Sequence, residues 1–345
     1  MDFKQFDDII DARTPSEYAE DHIPGAICAP VLSDTERVEV GTLYKKVSPF
    51  EAKKVGGALV ARNVARHVEE LWKGKPKSWK PLVYCWRGGK RSGAMAHILR
   101  EIGWDAQTLP GGYKAYRRWV VEQLDLLPQQ FRFQVVHGPT GSGKSRLLSA
   151  LARAGAQVLD LEQLAAHRGS VLGGLPDQPQ PSQKMFDSLL LQSISQLDRT
   201  KPVYVEGESK KIGQLQVLEA LIARMRASPC VRLETDTETR VTLLLQEYDF
   251  FLKNLPSLYQ QLDCLVSLHG REKIAEWKAL AGRGAWREFV ARLLAEHYDP
   301  AYRRSSHKNF AHLPEARAVR IDSADEAAFS RAAQSLLASP ELQPA

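Results

Sequence analysis

Cysteine is scarce in this sequence. The 345 residues include four cysteines, Cys28, Cys85, Cys230 and Cys264, and none of them belongs to a Cys-x-x-Cys pair. This spacing argues against a disulfide framework and against a cysteine-rich zinc site. We therefore expect reduced thiols, and we expect no haem, flavin or zinc.

Long apolar runs are also missing. No stretch approaches the roughly 18 apolar residues of a membrane-spanning helix, and the chain is charged from its second residue, which argues against a targeting segment. Lysine and arginine exceed aspartate and glutamate only slightly, 47 to 41, for a net charge of +6. We expect a soluble cytoplasmic protein without membrane contact, whose charge permits a polyanionic partner without demonstrating one.

Internal repeats and low-complexity segments are absent too, so strand and helix signals must define the organisation. Residues 81–85 and 131–137 are short apolar segments, each followed by a glycine-containing loop and an amphipathic helix pattern. Pro128 follows a helix pattern and places a domain boundary near residues 125–130. The sequence predicts two parallel α/β domains, residues 1–127 and 128–345, with a helical C-terminal extension from about residue 240.

Cys85 lies at the end of the first apolar segment and begins a basic loop with the pattern Cys-x5-Arg-Ser. Loop amides, the N-terminus of the following helix and a bidentate Arg91 suit a tetrahedral anion. The same positive surroundings should lower the pKa of the thiol and make it a nucleophile. The alternative is a buried structural cysteine. The candidate anion-binding residues are Trp86, Arg87, Gly88, Gly89, Lys90, Arg91 and Ser92.

The second apolar segment leads into the phosphate-loop pattern G-x4-G-K-[ST]. Its glycines let backbone amides approach phosphate oxygens, its lysine reaches the terminal phosphates, and its serine is a candidate Mg²⁺ ligand. The motif does not distinguish ATP or GTP from another diphosphate. The loop residues are Gly138, Pro139, Thr140, Gly141, Ser142, Gly143, Lys144 and Ser145.

An acidic side chain normally accompanies such a loop as the partner of magnesium. Glu206, at the end of the apolar segment 202–206, is the best candidate, with Glu208 close behind. Asp160 and Glu162 are another option. The sequence leaves this choice open.

Basic residues concentrate around Cys85. Between residues 72 and 118, 11 lysines and arginines face two acidic residues, and Trp72, Trp79, Trp86, Tyr113 and Tyr116 are interleaved with them. This mixture suits phosphate contacts and base stacking on looped RNA. A solvated basic face with some aromatic residues in the core explains the pattern equally well.

Several stretches resemble the rhodanese domain in order and spacing over about residues 3–125. They are residues 9–13, 17–18 and 22–26, the Cys85 loop, and residues 109–115. The resemblance implies a cysteine that carries sulfur or selenium. Most sulfurtransferase loops of this kind are one residue shorter, so the longer form indicates a larger tetrahedral group such as a phosphate-linked chalcogen. A phosphatase is the weaker alternative, because Tyr84 replaces the usual preceding histidine.

Nearly the whole chain resembles the bacterial tRNA 2-selenouridine synthase family. The supporting stretches, besides the two loops, are residues 41–53, 167–170, 205–210 and 297–300. The resemblance implies a tRNA partner, 2-thiouridine at the wobble position of the anticodon loop as substrate, and a selenophosphate-supplying enzyme as a further partner. It also implies selenophosphate and geranyl diphosphate as co-substrates.

On this interpretation, the phosphate loop holds geranyl diphosphate and the Cys85 loop holds selenophosphate. Two alternatives remain open: a tRNA sulfurtransferase that activates uridine with ATP, and a kinase-like or regulatory phosphate-loop protein with a rhodanese sensor domain. The aromatic residues of the helical region, Phe250, Phe251 and Tyr259 with Leu252 and Leu255, suit a geranyl pocket or an amphipathic helix equally.

Overall fold

The computed structural model describes residues 1–87, 89–176, 178–207, 209–310 and 312–338. The chain forms two compact units. The first consists of Met1–Gln123 and Ser182–Gln192, and the second consists of Leu124–Pro181 and the chain from Ser193 onward. The segment Ser182–Gln192, which the sequence analysis assigned to the second domain, thus belongs to the first unit. Two contacts hold it there: Arg117 with Asp187, and Ser188 with Asp21. They join residues 70 and 167 positions apart, so no local sequence pattern predicts them.

Within the described residues, the strands in chain order are β1 (Asp8–Asp11), β2 (Ile27–Cys28), β3 (Pro81–Tyr84), β4 (Gln107–Thr108), β5 (Arg132–His137), β6 (Gln157–Leu159), β7 (Pro202–Glu206), β8 (Lys211–Ile212), β9 (Leu215–Gln216), β10 (Cys230–Thr235) and β11 (Arg317–Ile321). The helices are α1 (Pro15–Glu20), α2 (Asp34–Lys46), α3 (Pro49–His67), α4 (Lys90–Ile102), α5 (Gly112–Leu126), α6 (Lys144–Arg153), α7 (Leu161–Leu164), α8 (Gln183–Ser195), α9 (Glu219–Arg226), α10 (Thr237–Glu247), α11 (Asp249–Lys253), α12 (Leu255–Asp263), α13 (Val266–Gly282), α14 (Trp286–Leu293), α15 (Asp299–Asn309) and α16 (Glu326–Leu337).

The first unit is built on a parallel sheet with the strand order β2-β1-β3-β4. All four residues of β3 are buried, as expected for the central part of a parallel sheet whose two faces are covered by helices. In parallel α/β sheets, binding sites form at the carboxyl ends of the strands. Cys85 follows β3 directly, so this sheet places the thiol at that edge.

The second unit is built on a parallel sheet with the order β11-β10-β5-β7-β6. Its core joins the sheet to α6 and α16 through side chains such as Val136, Leu147, Leu233 and Phe329. A separate apolar cluster, centred on Trp277 and Phe289, holds the helices α10–α14 together. The parallel-sheet α/β fold of both units and the helical C-terminal region confirm the sequence prediction.

The sequence analysis did not predict β11, which follows the helical region and pairs with β10. Its five residues alternate in burial, with Val319 and Ile321 inside and Arg320 outside. So short a segment carries little periodicity of its own, and its strand conformation depends on the edge that β10 offers. No helix among the described residues is long and apolar enough to cross a bilayer.

Candidate functional site

The Cys85 thiol is buried at the junction between β3 and α4. Its residue is 3% exposed, and the Ser92 hydroxyl, in the first turn of α4, donates a hydrogen bond to the sulfur at 3.1 Å. Gly89 precedes α4 as its N-cap, so the amides of the first turn point towards the thiol. Strand, loop and helix N-terminus thus converge on one sulfur atom.

These surroundings lower the pKa of Cys85 below the ordinary value of a thiol. Burial alone would raise it, but hydrogen bonds from the Ser92 hydroxyl and from the amides of Ser92 and Gly89, with the charge of Arg91, outweigh burial. By contrast, burial raises the pKa of Cys28, and raises that of Cys230 to about 11. Cys85 is therefore the thiol that this structure activates.

Arg91 binds a protein carboxylate. Its Nη1 donates to Glu17 Oε2 at 2.6 Å and its Nη2 to Glu17 Oε1 at 3.2 Å, so both arms of the guanidinium fork are engaged. The sequence analysis assigned this fork to a bound anion. The structure instead directs it to Glu17, a long-range partner, and leaves the loop amides as the candidate anion-binding groups. Although burial raises the pKa of Glu17, the hydrogen bonds from Arg91 and Thr14 lower it overall.

The other loop residues differ in exposure. Trp86 is 39% exposed and packs on Tyr113 at a ring separation of 5.4 Å, and Arg87 and Lys90 are exposed. Gly88 lies outside the described residues. Their exposure keeps the two basic side chains in water, where salt screens their charge.

The aromatic residues of the basic stretch are mostly interior. Trp72, Trp79, Tyr113 and Tyr116 are each no more than 3% exposed. Of the five that were interleaved with basic residues, Trp86 therefore remains as a surface aromatic. For the other four, burial decides between the two interpretations left open by the sequence: their rings lie in the core of the first unit and are not available for stacking on RNA.

Beneath the loop lies a buried polar network that the site predictions did not include. Arg13 donates from Nε and Nη2 to the carboxylate of Asp11, and from Nη2 to the carbonyl of Asp21. Tyr84 donates to Asp11 at 2.8 Å, and Tyr113 donates to Asp21 at 2.7 Å. Removing one partner of such a pair costs roughly 3–5 kcal/mol. The sequence signal was the charged pair Asp11 and Arg13 directly after the apolar residues Ile9 and Ile10.

We expect Ser92→Ala to raise the pKa of Cys85 and to slow its alkylation by iodoacetamide at neutral pH about tenfold. The thiolate would lose a hydrogen bond to a charged group, worth roughly 1.5 kcal/mol, and one pKa unit corresponds to about 1.36 kcal/mol. Alkylation rates across pH, followed by peptide mass spectrometry, measure the shift. Ser149→Ala, on α6, is the control variant. An unchanged midpoint in Ser92→Ala would show that the helix N-terminus alone activates the thiol.

The phosphate loop of the second unit connects β5 to α6. Gly141 and Gly143 have φ angles of +77° and +88°, the left-handed region that favours glycine. A Cβ on Gly141 would lie 2.8 Å from Leu244, and one on Gly143 would lie 2.5 Å from Phe329. Both glycines are thus required by conformation and by space. The Lys144 ammonium donates to the carbonyl of Gly138 at 3.1 Å, which folds its side chain over the loop.

Glu162 is the acidic residue that contacts the loop serine. Its Oε2 accepts a hydrogen bond from the Ser145 hydroxyl at 3.1 Å, and its backbone N–H donates to Glu206 Oε1 at 2.7 Å. Glu206, the preferred candidate from sequence, is 2% exposed and positions Glu162. Asp160 caps α7 by accepting from the Gln163 amide, and burial raises its pKa. Glu208 lies outside the described residues.

The residues around Ser145 fit a magnesium ion that is completed by phosphate and water. Magnesium prefers oxygen ligands and is usually held by one or two carboxylates together with substrate phosphates. The Ser145 hydroxyl and the Glu162 carboxylate supply that chemistry. Among the described residues, no cluster of three or more histidine, cysteine, aspartate or glutamate side chains forms a self-sufficient metal site.

Arg240 clamps the phosphate loop and was not identified from the sequence. Its Nε and Nη2 donate to the Thr140 carbonyl at 3.0 and 2.8 Å, and its guanidinium also binds both carboxylate oxygens of Asp299. The side chain is buried, so this contact fixes the Thr140 peptide, which lies in the phosphate loop. Its partners are 100 and 59 residues away in sequence, which explains why no local pattern revealed it.

Two adjoining cavities lie beside the loop. A cleft of about 410 Å³ is lined by the phosphate loop, Glu162, Arg168 and His297. A narrower cavity of about 50 Å³ has an almost entirely apolar wall that includes Phe251, Leu252, Trp286, Phe289, Val290 and Leu293. Five residues line both cavities: Thr140, Ser170, Leu244, Tyr248 and Tyr298.

The aromatic and leucine residues that the sequence analysis named in the helical region fall into two groups. Phe251 and Leu252 line the apolar cavity. Phe250, Leu255 and Tyr259 pack against the helical core.

The fold and the two sites define a protein that joins a rhodanese-like unit, with an activated cysteine, to a phosphate-loop α/β unit. Residues 1–118 match the model of the rhodanese-like domain, and residues 131–264 match that of the tRNA 2-selenouridine synthase AAA domain. Similar proteins named tRNA 2-selenouridine synthase come from a Sulfurovum strain (32% identical, covering 85% of this chain and 87% of the relative), from Marinobacter nauticus (31%, 85% and 87%) and from Nitrosomonas europaea (35%, 70% and 63%). This chain belongs to the tRNA 2-selenouridine synthase family. The match with the Nitrosomonas europaea protein spans a little under two thirds of that protein's length.

Proposed function

We propose that this protein is a tRNA-modifying transferase that converts wobble 2-thiouridine to 2-selenouridine. In the first step, the sulfur is geranylated with geranyl diphosphate at the phosphate loop. In the second step, selenium from selenophosphate replaces the geranylthio group with the help of Cys85. Family membership and the chemistry of the two sites support the proposal.

One observation carries the choice of geranyl diphosphate over a nucleotide: the apolar cavity that adjoins the phosphate-loop cleft. When a diphosphate binds to the loop, its organic substituent extends towards the junction of the two cavities, where five residues line both. A purine would leave its polar edge without partners there, because the wall beyond consists of leucine and aromatic side chains. An allylic hydrocarbon gains from burial at roughly 25 cal/mol per Å². At about 50 Å³, the cavity is smaller than a ten-carbon chain, so binding requires the half-exposed Leu252 and its neighbours to shift.

The first step is an alkylation that releases diphosphate. The thiouridine sulfur forms a bond to C1 of the geranyl chain, the C1–O bond breaks with its electrons on the diphosphate, and the uridine loses its N3 proton. Lys144 and the loop amides stabilise the charge of the departing diphosphate. Bound magnesium would add Lewis-acid stabilisation of that charge, held by Ser145 and Glu162. The Arg240 clamp keeps the Thr140 peptide in place for this purpose.

The second step exchanges the geranylthio group for selenium. Geranylation makes the sulfur a better leaving group. The Cys85 thiolate attacks the phosphorus of selenophosphate, and the P–Se bond breaks with its electrons on selenium. The released selenide adds to C2 of the base and the geranylthio group leaves as geranyl thiol, while water hydrolyses the phosphorylated cysteine to phosphate. Selenium enters and remains at the selenide level, so the net exchange requires no oxidant. The loop amides around Cys85 suit the phosphate of the donor, and the lowered pKa of the thiol increases the fraction of thiolate at a given pH.

Nucleoside mass spectrometry tests the proposal. We expect purified protein and 2-thiouridine tRNA to form a geranyl adduct with geranyl diphosphate, and then selenouridine with selenophosphate, both without ATP. Adenylated uridine in the presence of ATP would favour the sulfurtransferase alternative. Nucleotide hydrolysis without any change in the RNA would favour the kinase-like alternative.

A cavity-filling variant tests the site assignment in the same assay. Leu252 lines the apolar cavity and is 36% exposed, so Leu252→Trp should fill the cavity without disrupting the core. We expect it to weaken geranyl diphosphate binding about tenfold or more, at roughly 1.4 kcal/mol per factor of ten, and to leave inorganic diphosphate binding unchanged. Leu268→Trp, at a residue that is 69% exposed, is the matched control. Equal affinities of the two variants for geranyl diphosphate would show that the geranyl chain does not bind in this cavity.

A further inference from the structure

A partly buried pair of histidines lies beside the phosphate-loop cleft and has no role in the mechanism above. His269 Nε2 and His297 Nδ1 are 2.8 Å apart, a hydrogen-bond distance. His297 lines the cleft although its residue is only 8% exposed. The His269 ring packs against Trp277 with centroids 5.0 Å apart, which fixes the outer member of the pair.

Irregular backbone brings the two rings together. His297 lies in a π-helical turn, Leu294–Tyr298, inserted between α14 and α15; such turns are frequent at functional sites. His269 directly precedes Gly270, where φ of +79° and ψ of 163° interrupt α13. Each of the two histidines thus lies at or beside an interruption of regular α-helix.

The location of His297 matches the place of reaction in the first step. The bond that breaks joins the diphosphate to C1 of the chain, so it lies where the polar cleft meets the apolar cavity. Tyr298, the next residue, is one of those that line both cavities. The attacking nucleobase must approach this junction from the cleft, which is the side that His297 lines.

We propose that His297 is the general base of geranylation, an inference that rests on the proposed function. As the sulfur forms its bond to C1, the N3–H bond of the thiouridine breaks and its proton passes to Nε2 of His297. The electrons of that bond form the C2=N3 double bond while C2=S becomes a single bond, and the diphosphate leaves with the C1–O electrons. The imidazolium then releases the proton to solvent.

One of the two tautomers that the His269 contact permits is the one that this role requires. When His297 donates its Nδ1 proton to Nε2 of His269, its own Nε2 carries the lone pair. His269 is thus a positioning residue. Burial, with the nearby His269 and Arg304, lowers the pKa of His297, so the ring is neutral and able to accept a proton at neutral pH.

Removing the base should lower kcat and leave substrate binding intact. We expect His297→Ala to lower kcat for geranylation by about 10² to 10³, with the KM for geranyl diphosphate unchanged, and added imidazole to restore part of the rate. His297→Gln should be equally slow, because an amide keeps a hydrogen bond to His269 and accepts no proton. His269→Gln should show a smaller loss of kcat. His97→Ala, at an exposed residue of α4, is the control.

Three results would overturn the assignment. They are a His297→Gln variant with wild-type kcat, a His297→Ala variant that imidazole does not accelerate, and a loss expressed in KM alone. The last would make His297 a ligand of the diphosphate. Failure of the proposed function gives a different result, because the wild-type protein itself would then form no geranylated RNA.

Discussion

Replacing Cys85 with serine should abolish selenation, by at least about a thousandfold, and leave geranylation intact. The hydroxyl of serine stays protonated at neutral pH, whereas the pKa of the Cys85 thiol is lowered by Ser92, two loop amides and Arg91. The substitution removes the nucleophile with little change in volume, so the first unit should fold normally. Activated nucleophiles of this kind lose orders of magnitude in rate when they are replaced.

Pre-geranylated tRNA offered with selenophosphate isolates this step from the first one. Selenouridine counted by nucleoside mass spectrometry is the readout, and the geranyl adduct formed from 2-thiouridine tRNA is the internal control. Cys264→Ser, at an exposed cysteine, serves as the matched variant and should retain both activities. If Cys85→Ser selenated tRNA at the normal rate, the Cys85 loop would bind an anion but would take no covalent part in the reaction.

Replacing Lys144 with methionine should produce the reverse pattern, with geranylation reduced by about 10³ or more and selenation of pre-geranylated tRNA retained. Methionine keeps much of the side-chain length and loses the ammonium, which donates to the Gly138 carbonyl and, in the proposed first step, would neutralise the departing diphosphate. Removal of a single charge-stabilising donor typically costs 10²–10³ in kcat. Loss of a full positive charge at the leaving group should cost at least as much.

Lys201→Met is the matched control, because Lys201 is exposed and lies outside the phosphate-loop cleft. Binding of inorganic diphosphate, measured by calorimetry, should weaken in Lys144→Met and stay unchanged in the control. If Lys144→Met retained geranylation, the phosphate loop would not hold the allylic diphosphate. If it also lost selenation of pre-geranylated tRNA, the two steps would share one site.

The two variants together test the division of labour between the units. Each is expected to stop one reaction and to leave the other in place, which a general folding defect would not do. Loss of both activities in both variants would indicate that the steps are coupled. The proposed sequence of two separable transfers would then be wrong.

The features that the sequence predicted well are those encoded within a few neighbouring residues. The phosphate-loop pattern fixes glycine at positions 138 and 143; a Cβ at either position would meet a neighbouring side chain, and Gly143 also has a positive φ. The parallel α/β fold was also predictable, because the buried strands are continuous apolar runs with helices after them. The five-residue β11 was missed, since its conformation depends on pairing with β10.

The sequence by itself determined the chemical groups of both sites: a thiol before a glycine-containing helix N-terminus, and a loop of amides with a lysine. Tertiary structure decided how these groups are partnered. It directs Arg91 to Glu17, selects Glu162 for Ser145, and brings His269 to His297. These pairs join residues 17 to 74 positions apart, which have no mutual periodicity. Their contacts arise only when sheets and helices pack, because packing sets which side chains meet in space.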